Sequence, residues 1–287
     1  MRRISGKLSA LIASRRQLRS GLKRVASDIK SPRQLAAEGY DPAHAAYIAA
    51  QNYASFFAER VSMLDELNAY CELAGAAEEE YMPGGPPMSP LSTSYFTSWA
   101  FFDLRFGPDR ETIGSCLLDV GEQIGLSPDM ALVLRLYERS RMGIYEHAGM
   151  REGRAHLKEL ITGSEFACHV PTGYAGKKGE LWYVRLLPSP GGLFPADYHV
   201  AMTTPYILGG ATKEDWIAYL RKSSAEAGFA DIRDGVYAFL KFGREPNFWN
   251  EFIFLSYVDY QTDAVFLAGL PDVRASLPHG DLAGGGT

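Results

Sequence analysis

The hydrophobic period of this sequence changes near Met142, and the change limits which folds the chain can adopt. Before that point, apolar residues recur every three or four positions, as in a helix that buries one stripe. After it, apolar and polar residues alternate over short runs, as in strands that bury one face. The alternating runs cover residues 142–148, 154–161, 165–170, 180–187 and 198–207. The sequence therefore predicts an α+β fold, with a helical N-terminal half followed by a small antiparallel β-barrel or bent sheet.

Helix start and stop signals organise the N-terminal half. Asp41-Pro42 supplies an N-cap and a first-turn proline for a helix expected to reach about Leu73. The following stretch, near 75–92, is rich in glycine, proline and acidic residues, which indicates a surface linker. The other elements expected here are helices over 109–124 and 128–139, and a buried helix or strand over the aromatic run 94–106.

Helical periodicity returns after the alternating region. Thr212 and Asp215 form a capping box for a helix expected to end near Ala225. Two apolar helices ("DGVYAFLKF" and "NFWNEFIFLSYVDY") and a last strand ("AVFLAGL") should follow, so that C-terminal helices pack on the β domain. The predicted organisation is an arm over 1–33, a helical region over 34–140, a β domain over 141–210, a helical region over 211–277 and a loose tail over 278–287.

Composition narrows the class of protein. Hydrophobic residues make up 46% of the chain, enough for one large core or two smaller ones. The three cysteines are far apart and odd in number, which argues against a disulfide framework and favours a reducing, cytoplasmic location. No apolar run approaches the roughly 20 residues that span a bilayer. The Arg- and Ser-rich start also resembles an organelle transit peptide, which remains an alternative.

Charge is segregated along the chain. Residues 1–33 contain ten Lys/Arg and one acid, a local charge of +9, whereas residues 34–135 contain four basic and fifteen acidic residues, a local charge of −11. The whole chain carries a formal charge of −5. A basic arm beside an acidic body indicates either that the arm binds a polyanion or that it contacts its own body.

The basic arm has the pattern of an amphipathic helix. Apolar residues and one arginine form a stripe at spacings of three and four: Leu11, Arg15, Leu18, Leu22, Val25 and Ile29. Arg16, Arg19, Lys23 and Arg24 lie beside or behind this stripe. We therefore expect the arm to be a docking element for another protein, with Arg15, Arg16, Arg19, Lys23 and Arg24 as contact residues.

Three other surfaces are possible partners for the arm. Nucleic acid could meet its cations through phosphates, although no aromatic residue before Tyr40 offers base stacking. The acidic helical region of the same chain is a second possibility. An anionic membrane surface is a third, but the arm lacks the Trp and Phe that favour that depth.

The sequence contains no recognisable catalytic or cofactor motif. "GYAGKKGE" (173–180) lacks the spacing of a phosphate-binding loop and is followed by a strand, so a hairpin turn is the better interpretation. Cys168 and His169 are neighbours on a strand and point to opposite faces, so they cannot form a nucleophile–base pair. Cys168 shares its face with Phe166 and Val170, which indicates a buried structural thiol.

Four polar residues of the β domain are weak pocket candidates: His156, His169, Asp197 and His199. Asp197 and His199 should share a strand face and could act as an acid/base pair. His169 could meet His156 across the sheet, but the spacing supplies no third metal ligand. We therefore expect no catalytic, metal-binding or cofactor-binding residues.

One segment resembles known proteins. The runs "SRMGIYEHAG", "RAHLKELITGSEFACHV" and "KKGELWYVRLLP" are similar to a segment of uncharacterised bacterial proteins, in which L-x-x-L-x-T-G precedes a strand G-E/D-L-x-x-x-R. Some of those proteins also carry a Cys/His-rich SEC-C motif, which is absent here. The resemblance covers about 140–207 and implies a bacterial protein with a small β domain, but it implies no catalytic residue, zinc site or partner.

These observations favour a non-enzymatic, intracellular adaptor that docks through its basic N-terminal helix. A nucleic-acid-binding protein that uses the same arm is the first alternative. An enzyme whose site is assembled from distant residues is the second.

Overall fold

The computed structural model describes residues 3–84, 89–194 and 196–271, without the side chains of 25–28. Two compact units form the chain. The first holds the chain up to Glu80, Phe96–Ser140 and Leu187–Asp197, and the second holds Tyr81–Tyr95, Arg141–Leu186 and the chain from Tyr198. The predicted C-terminal tail (278–287) lies outside the described residues.

Helices precede the first strand throughout the N-terminal half. They are α1 (Arg3–Ser14), α2 (Arg16–Asp28), α3 (Pro32–Ala37), α4 (Pro42–Val61), α5 (Asn68–Tyr81), α6 (Thr93–Phe102), α7 (Ile113–Ile124) and α8 (Pro128–Arg139). The aromatic run over 94–106, for which the sequence allowed a helix or a strand, is therefore mostly helical, as α6. Ser127 caps α8 by accepting a hydrogen bond from the Met130 N–H (3.2 Å), as a Ser-Pro start predicts.

Helix α4 lies inside the first unit and is buried on most of its surface. Seven alanines along it are almost fully buried, as are Tyr47, Tyr53 and Phe57. Small side chains let neighbouring helices approach closely, and α2, α3, α7 and α8 all contact α4. The sequence predicted one helix from Pro42 to about Leu73.

That helix ends instead at Val61. Leu64 adopts an extended backbone before a short 3₁₀ turn (Asp65–Leu67), and α5 begins after the turn. Leu64 and Leu67 are buried even though the helix has ended. The apolar stripe thus continues across a break that periodicity alone does not reveal, because a turn can preserve burial.

The second unit is built on a closed five-stranded barrel. Its strands are β1 (Met142–Arg151), β2 (Arg154–Glu159), β3 (Glu165–His169), β4 (Leu181–Pro188) and β5 (His199–Ala201), in the order β1-β2-β3-β5-β4, and β1 also pairs with β4. β3 and β5 are parallel. A bulge between His147 and Gly149 bends β1, whose residues 142–146 pair with β4 and whose residues 145–151 pair with β2. The predicted small barrel is confirmed.

The predicted strand over 198–207 is two strands. β5 ends at Ala201, and β6 (Tyr206–Gly209) begins after Pro205, whose missing N–H cannot donate to a ladder. β6 pairs with β4, and β8 (Val265–Ala268) and β7 (Tyr257–Tyr260) extend the sheet from there.

Three helices complete the second unit. They are α9 (Lys213–Glu226), α10 (Ile232–Phe242) and α11 (Phe248–Ser256). Thr212 and Asp215 form the predicted capping box of α9. α10 contacts β1 and α11 contacts β8, which confirms that C-terminal helices pack on the β region. The predicted apolar helix of residues 247–260 ends at Ser256, and its last four residues form β7.

Candidate functional site

The basic arm is two helices with different surroundings. α1 ends at Ser14 and α2 begins at Arg16, where the sequence predicted one continuous stripe from Leu11 to Ile29. In α1 the buried apolar side chains are Ile4, Leu8 and Ile12, which recur every four residues, and α1 packs against α7. The arm therefore contacts its own unit, as one of the predicted alternatives proposed.

A buried carboxylate anchors the start of α1. Glu111 is fully buried and accepts hydrogen bonds from the backbone N–H groups of Ile4 and Ser5 (2.8 Å each) and from the Ser5 hydroxyl. The Arg3 N–H donates to Asp109 (2.6 Å). The first N–H groups of a helix have no partner within the helix, and a negative charge there is favourable. An acidic loop more than 100 residues away thus caps α1.

The sequence did not identify Glu111 as important. It follows the "GPD" turn in a loop where Phe106 and Glu111 form an isolated β-bridge. A glutamate is rarely fully buried unless it is paired. The sequence alone does not show that this glutamate, which follows a turn, is buried. Its role becomes evident only from the packing of α1 against α7, which places Glu111 at the start of α1.

Helix α2 presents an exposed basic face, which we define as Arg16, Arg19 and Lys23. Their spacing of three and four residues places them within about 60° of one another around the helix axis. All three side chains are exposed, and none forms an ion pair with the part of the chain that the structure describes. Leu22, which lies about 60–120° around the helix axis from these three cations, is buried, and α2 contacts α4 and α7. The face is therefore held on a packed helix.

The two remaining arm candidates lie at the margin of this face. Arg15 is exposed at the break between the helices, and Arg24 is exposed about 100° around α2 from Lys23. Along the axis, the basic face extends over about 10 Å from Arg16 to Lys23. This length corresponds to about three phosphates along one nucleic-acid strand.

The structure does not bring the four weak pocket candidates together. Asp197 is exposed and precedes β5, so Asp197 and His199 do not share a strand as predicted. His199 is half-buried against Phe166 (ring centroids 4.7 Å apart), and burial lowers its pKa. No convergent acid, base and nucleophile results from this placement.

His156 and His169 lie on the outer face of the barrel. His156 pairs with Ala167, two residues from His169, while the alternate residues Ala155 and Cys168 face the core. Arg154, on the same face of β2 as His156, stacks over the Tyr198 ring, with its guanidinium carbon 3.5 Å from the ring centroid. The outer face thus carries a cation–aromatic pair beside two histidines.

Cys168 is the buried structural thiol that strand alternation predicted. It is fully buried in the barrel core, and burial raises its pKa to about 12. A thiol with this pKa is protonated near neutral pH and is a poor nucleophile.

Within the described ranges, no group of three or more His, Cys, Asp or Glu side chains is placed to hold a metal ion. Nor does any helix in those ranges have the length and apolar character needed to cross a bilayer. Comparison with known proteins gives no relative, since no family model, curated protein or solved structure matches this chain.

Proposed function

We propose that this protein binds nucleic acid through the phosphate backbone, with the basic face of α2 as its contact surface. One observation carries the proposal: the apolar side of α2 packs inside the first unit, while Arg16, Arg19 and Lys23 are exposed without an ion pair to the described residues. Cations held on a packed helix bind phosphates with little loss of backbone entropy.

The packing of the arm argues against an adaptor that docks through the apolar stripe of its N-terminal helix. An adaptor that docks through an amphipathic helix needs a free apolar stripe. Here Ile4, Leu8, Ile12 and Leu22 are buried within their own unit, and charge is what remains for a partner. A polyanion therefore fits the exposed face better than an apolar groove does. Docking on an acidic protein surface remains the competing prediction.

The barrel provides a second, weaker argument for nucleic-acid binding. Greek-key barrels of five strands include the oligonucleotide-binding folds, which use the face of strands 2 and 3. In this chain that face carries His156 and His169, with Arg154 stacked on Tyr198. Stacked aromatic and guanidinium groups are common in single-strand binding sites. This is an analogy of architecture, and the residues of α2 carry the argument.

The test is a fluorescence anisotropy titration with a labelled 25-nucleotide DNA, as a single strand and as a duplex. The triple variant Arg16→Gln, Arg19→Gln, Lys23→Gln should bind both forms roughly tenfold more weakly than the natural chain at low salt. The matched control neutralises three exposed cations of the second unit: Arg151→Gln, Lys177→Gln and Lys178→Gln. It changes the net charge equally and should bind almost normally.

Equal losses in the two triple variants would show a nonspecific effect of net charge and would refute the assignment to α2. If the natural chain binds neither DNA form nor the corresponding RNA, the proposal fails. Capture of an acidic protein from a lysate, lost in the α2 variant, would then favour the adaptor. Deletion of residues 1–33 is unsuitable for this purpose because it also removes the buried side chains of α1.

A further inference from the structure

Two adjoining cavities lie in the first unit, beside the end of the basic arm. Their volumes are about 220 Å³ and about 170 Å³, and four residues line both: Ser31, Pro32, Ser127 and Met130. Each cavity is smaller than the roughly 300 Å³ at which pockets for drug-sized ligands begin. Each therefore suits a single ring system.

Helix ends form much of the cavity walls. Ser31 caps α3 and Ser127 caps α8, and each hydroxyl accepts a backbone N–H of its own helix (3.3 Å and 3.2 Å). Gly125, at φ 79°, ends α7 in the left-handed conformation and lines the smaller cavity. Glycine adopts this conformation without steric cost, which allows the sharp turn from α7 into α8.

Tyr53 of α4 lines the smaller cavity and is only 6% exposed. Its hydroxyl is buried and has no hydrogen-bond partner in the described parts of the chain. Burial also raises its pKa, so the phenol keeps its proton and remains a donor. A buried hydroxyl without a partner is unfavourable. Because the hydroxyl oxygen is closed off from the cavity, a small movement of the Tyr53 ring is needed before a ligand oxygen or ring nitrogen supplies the missing acceptor.

Charged side chains of both signs stand at the cavities. Arg33 and Asp129 line the larger cavity, and Lys30 lines the smaller. Lys30 forms an exposed ion pair with Glu38 (2.7 Å), which contributes little and exchanges readily. The interior is otherwise largely apolar, with Met130, Val133 and Phe194 among its walls. A fitting ligand has a flat, mostly apolar body, hydrogen-bonding groups at its edge and a negative charge outside.

We infer that these cavities bind an unstacked nucleobase of a single-stranded nucleic acid, with the adjoining phosphate at Lys30 and Arg33. The inference rests on the proposed function and names its substrate class. A base offers acceptors for the Tyr53 hydroxyl and, in three of the four bases of DNA, an amino group for the Asp129 carboxylate. α2 ends at Asp28, two residues before Lys30, so the basic face and the cavity residues are close neighbours in sequence.

The experiment compares three labelled DNA probes of one length with the full chain. They are a mixed-sequence single strand, the same strand in a duplex, and a strand of abasic residues that keeps the phosphates without the bases. The intact single strand should bind roughly tenfold more tightly than the abasic strand, since base contacts of this kind are worth about one power of ten or more. The duplex should lack this advantage because its bases stay stacked.

Two variants test whether the preference for the intact strand over the abasic strand arises at the cavities. Tyr53→Phe removes the donor and should reduce the preference for the intact strand several-fold, while the affinity for the abasic strand and the melting temperature are unchanged or rise slightly. Met130→Trp adds bulk at the wall that both cavities share and should abolish the preference. Met63→Trp is its matched control, because Met63 is 89% exposed and lines neither cavity.

Equal affinity for the intact and abasic strands would overturn the inference and leave backbone binding by α2 intact. A preference that survives both Tyr53→Phe and Met130→Trp would overturn it as well, by placing base recognition elsewhere. Loss of all DNA binding in the natural chain would instead refute the proposed function. If Met130→Trp does not fold, Tyr53→Phe decides alone, since losing an unpaired hydroxyl should not harm folding.

Discussion

The two helices of the basic arm are neighbours in sequence but use their side chains in opposite ways. α1 buries Ile4, Leu8 and Ile12 against α7 and is capped by the buried Glu111. α2 buries Leu22 and exposes Arg16, Arg19 and Lys23. The first helix therefore provides attachment and the second provides a charged surface.

This contrast teaches how a net acidic protein can present a local basic surface. The acidic residues Asp109 and Glu111 interact with the backbone of α1, and no bond joins them to the cations of α2 among the described contacts. Asp109 and Glu111 thus hold α1 without pairing with Arg16, Arg19 or Lys23 among the described residues. Local potential, more than the formal charge of −5, decides whether a polyanion can approach.

The largest expected effect comes from removing the cap of α1. Glu111→Ala leaves the N–H groups of Ile4 and Ser5 and the Ser5 hydroxyl without their acceptor, and each buried unpaired group costs about 1–3 kcal/mol. We expect the free energy of unfolding, measured with urea, to fall by about 3–4 kcal/mol. Glu122→Ala, an exposed change on α7, should cost less than about 0.5 kcal/mol. Similar losses in both variants would contradict the anchoring role.

A matched pair of leucines compares the two helices directly. Leu8→Ala in α1 removes a fully buried side chain and should lower the unfolding free energy by about 3 kcal/mol. Leu18→Ala in α2 removes a half-buried one and should cost about 1 kcal/mol. Urea denaturation of both variants measures the difference. A larger loss for Leu18→Ala would reverse the assignment of attachment to α1.

The barrel should make the stability of the protein depend on pH, because it contains the buried His147. The two arm helices contain no histidine. His147 is buried, and burial lowers its pKa below the usual value near 6.5. The unfolded chain therefore binds a proton at a pH where the folded chain does not. Stability from this group is complete above about pH 6.5 and falls on acidification, by at most about 1.4 kcal/mol per pH unit.

The check is urea unfolding of the natural chain and His147→Gln between about pH 7 and pH 5. The unfolding free energy of the variant should fall less steeply on acidification than that of the natural chain. His199→Gln should reduce this fall less, because His199 is only half-buried although burial also lowers its pKa. An identical fall on acidification for His147→Gln and the natural chain would show that His147 is not responsible.

The smallest stability change is expected from α2. The triple variant Arg16→Gln, Arg19→Gln, Lys23→Gln alters exposed side chains that have no ion pair to the described residues, so its unfolding free energy should lie within about 0.5 kcal/mol of the natural value. Thermal and urea denaturation measure this. A loss of several kcal/mol would mean that α2 also serves attachment, and the contrast between the helices would disappear.

Local patterns in the sequence predicted those features that depend on neighbouring residues. Strand alternation predicted the barrel and the buried thiol of Cys168, and cap chemistry predicted the starts of α4 and α9 at Asp41 and Thr212. The signals of period and capping each lie within a few positions in the sequence. They are sufficient for the strands and the caps, although the barrel itself closes through the distant pair β1–β4.

Features that depend on distant contacts could not be predicted in this way. Glu111 caps a helix 106 residues away, and a single sequence carries no sign of that pairing. The break at Arg15 leaves the hydrophobic spacing nearly unchanged, so one long stripe was expected in place of two helices. The unpaired hydroxyl of Tyr53 becomes evident only once its surroundings are known, so the sequence did not indicate it.

The most direct test of the central claim is the salt dependence of DNA binding. Three phosphate contacts on duplex DNA contribute about −2.7 to the slope of log Kobs against log salt concentration. We predict that the slope of the α2 triple variant is less negative than that of the natural chain by about this amount, while the Arg151, Lys177, Lys178 control keeps the natural slope. Equal slopes for the natural chain and the α2 variant would contradict the account.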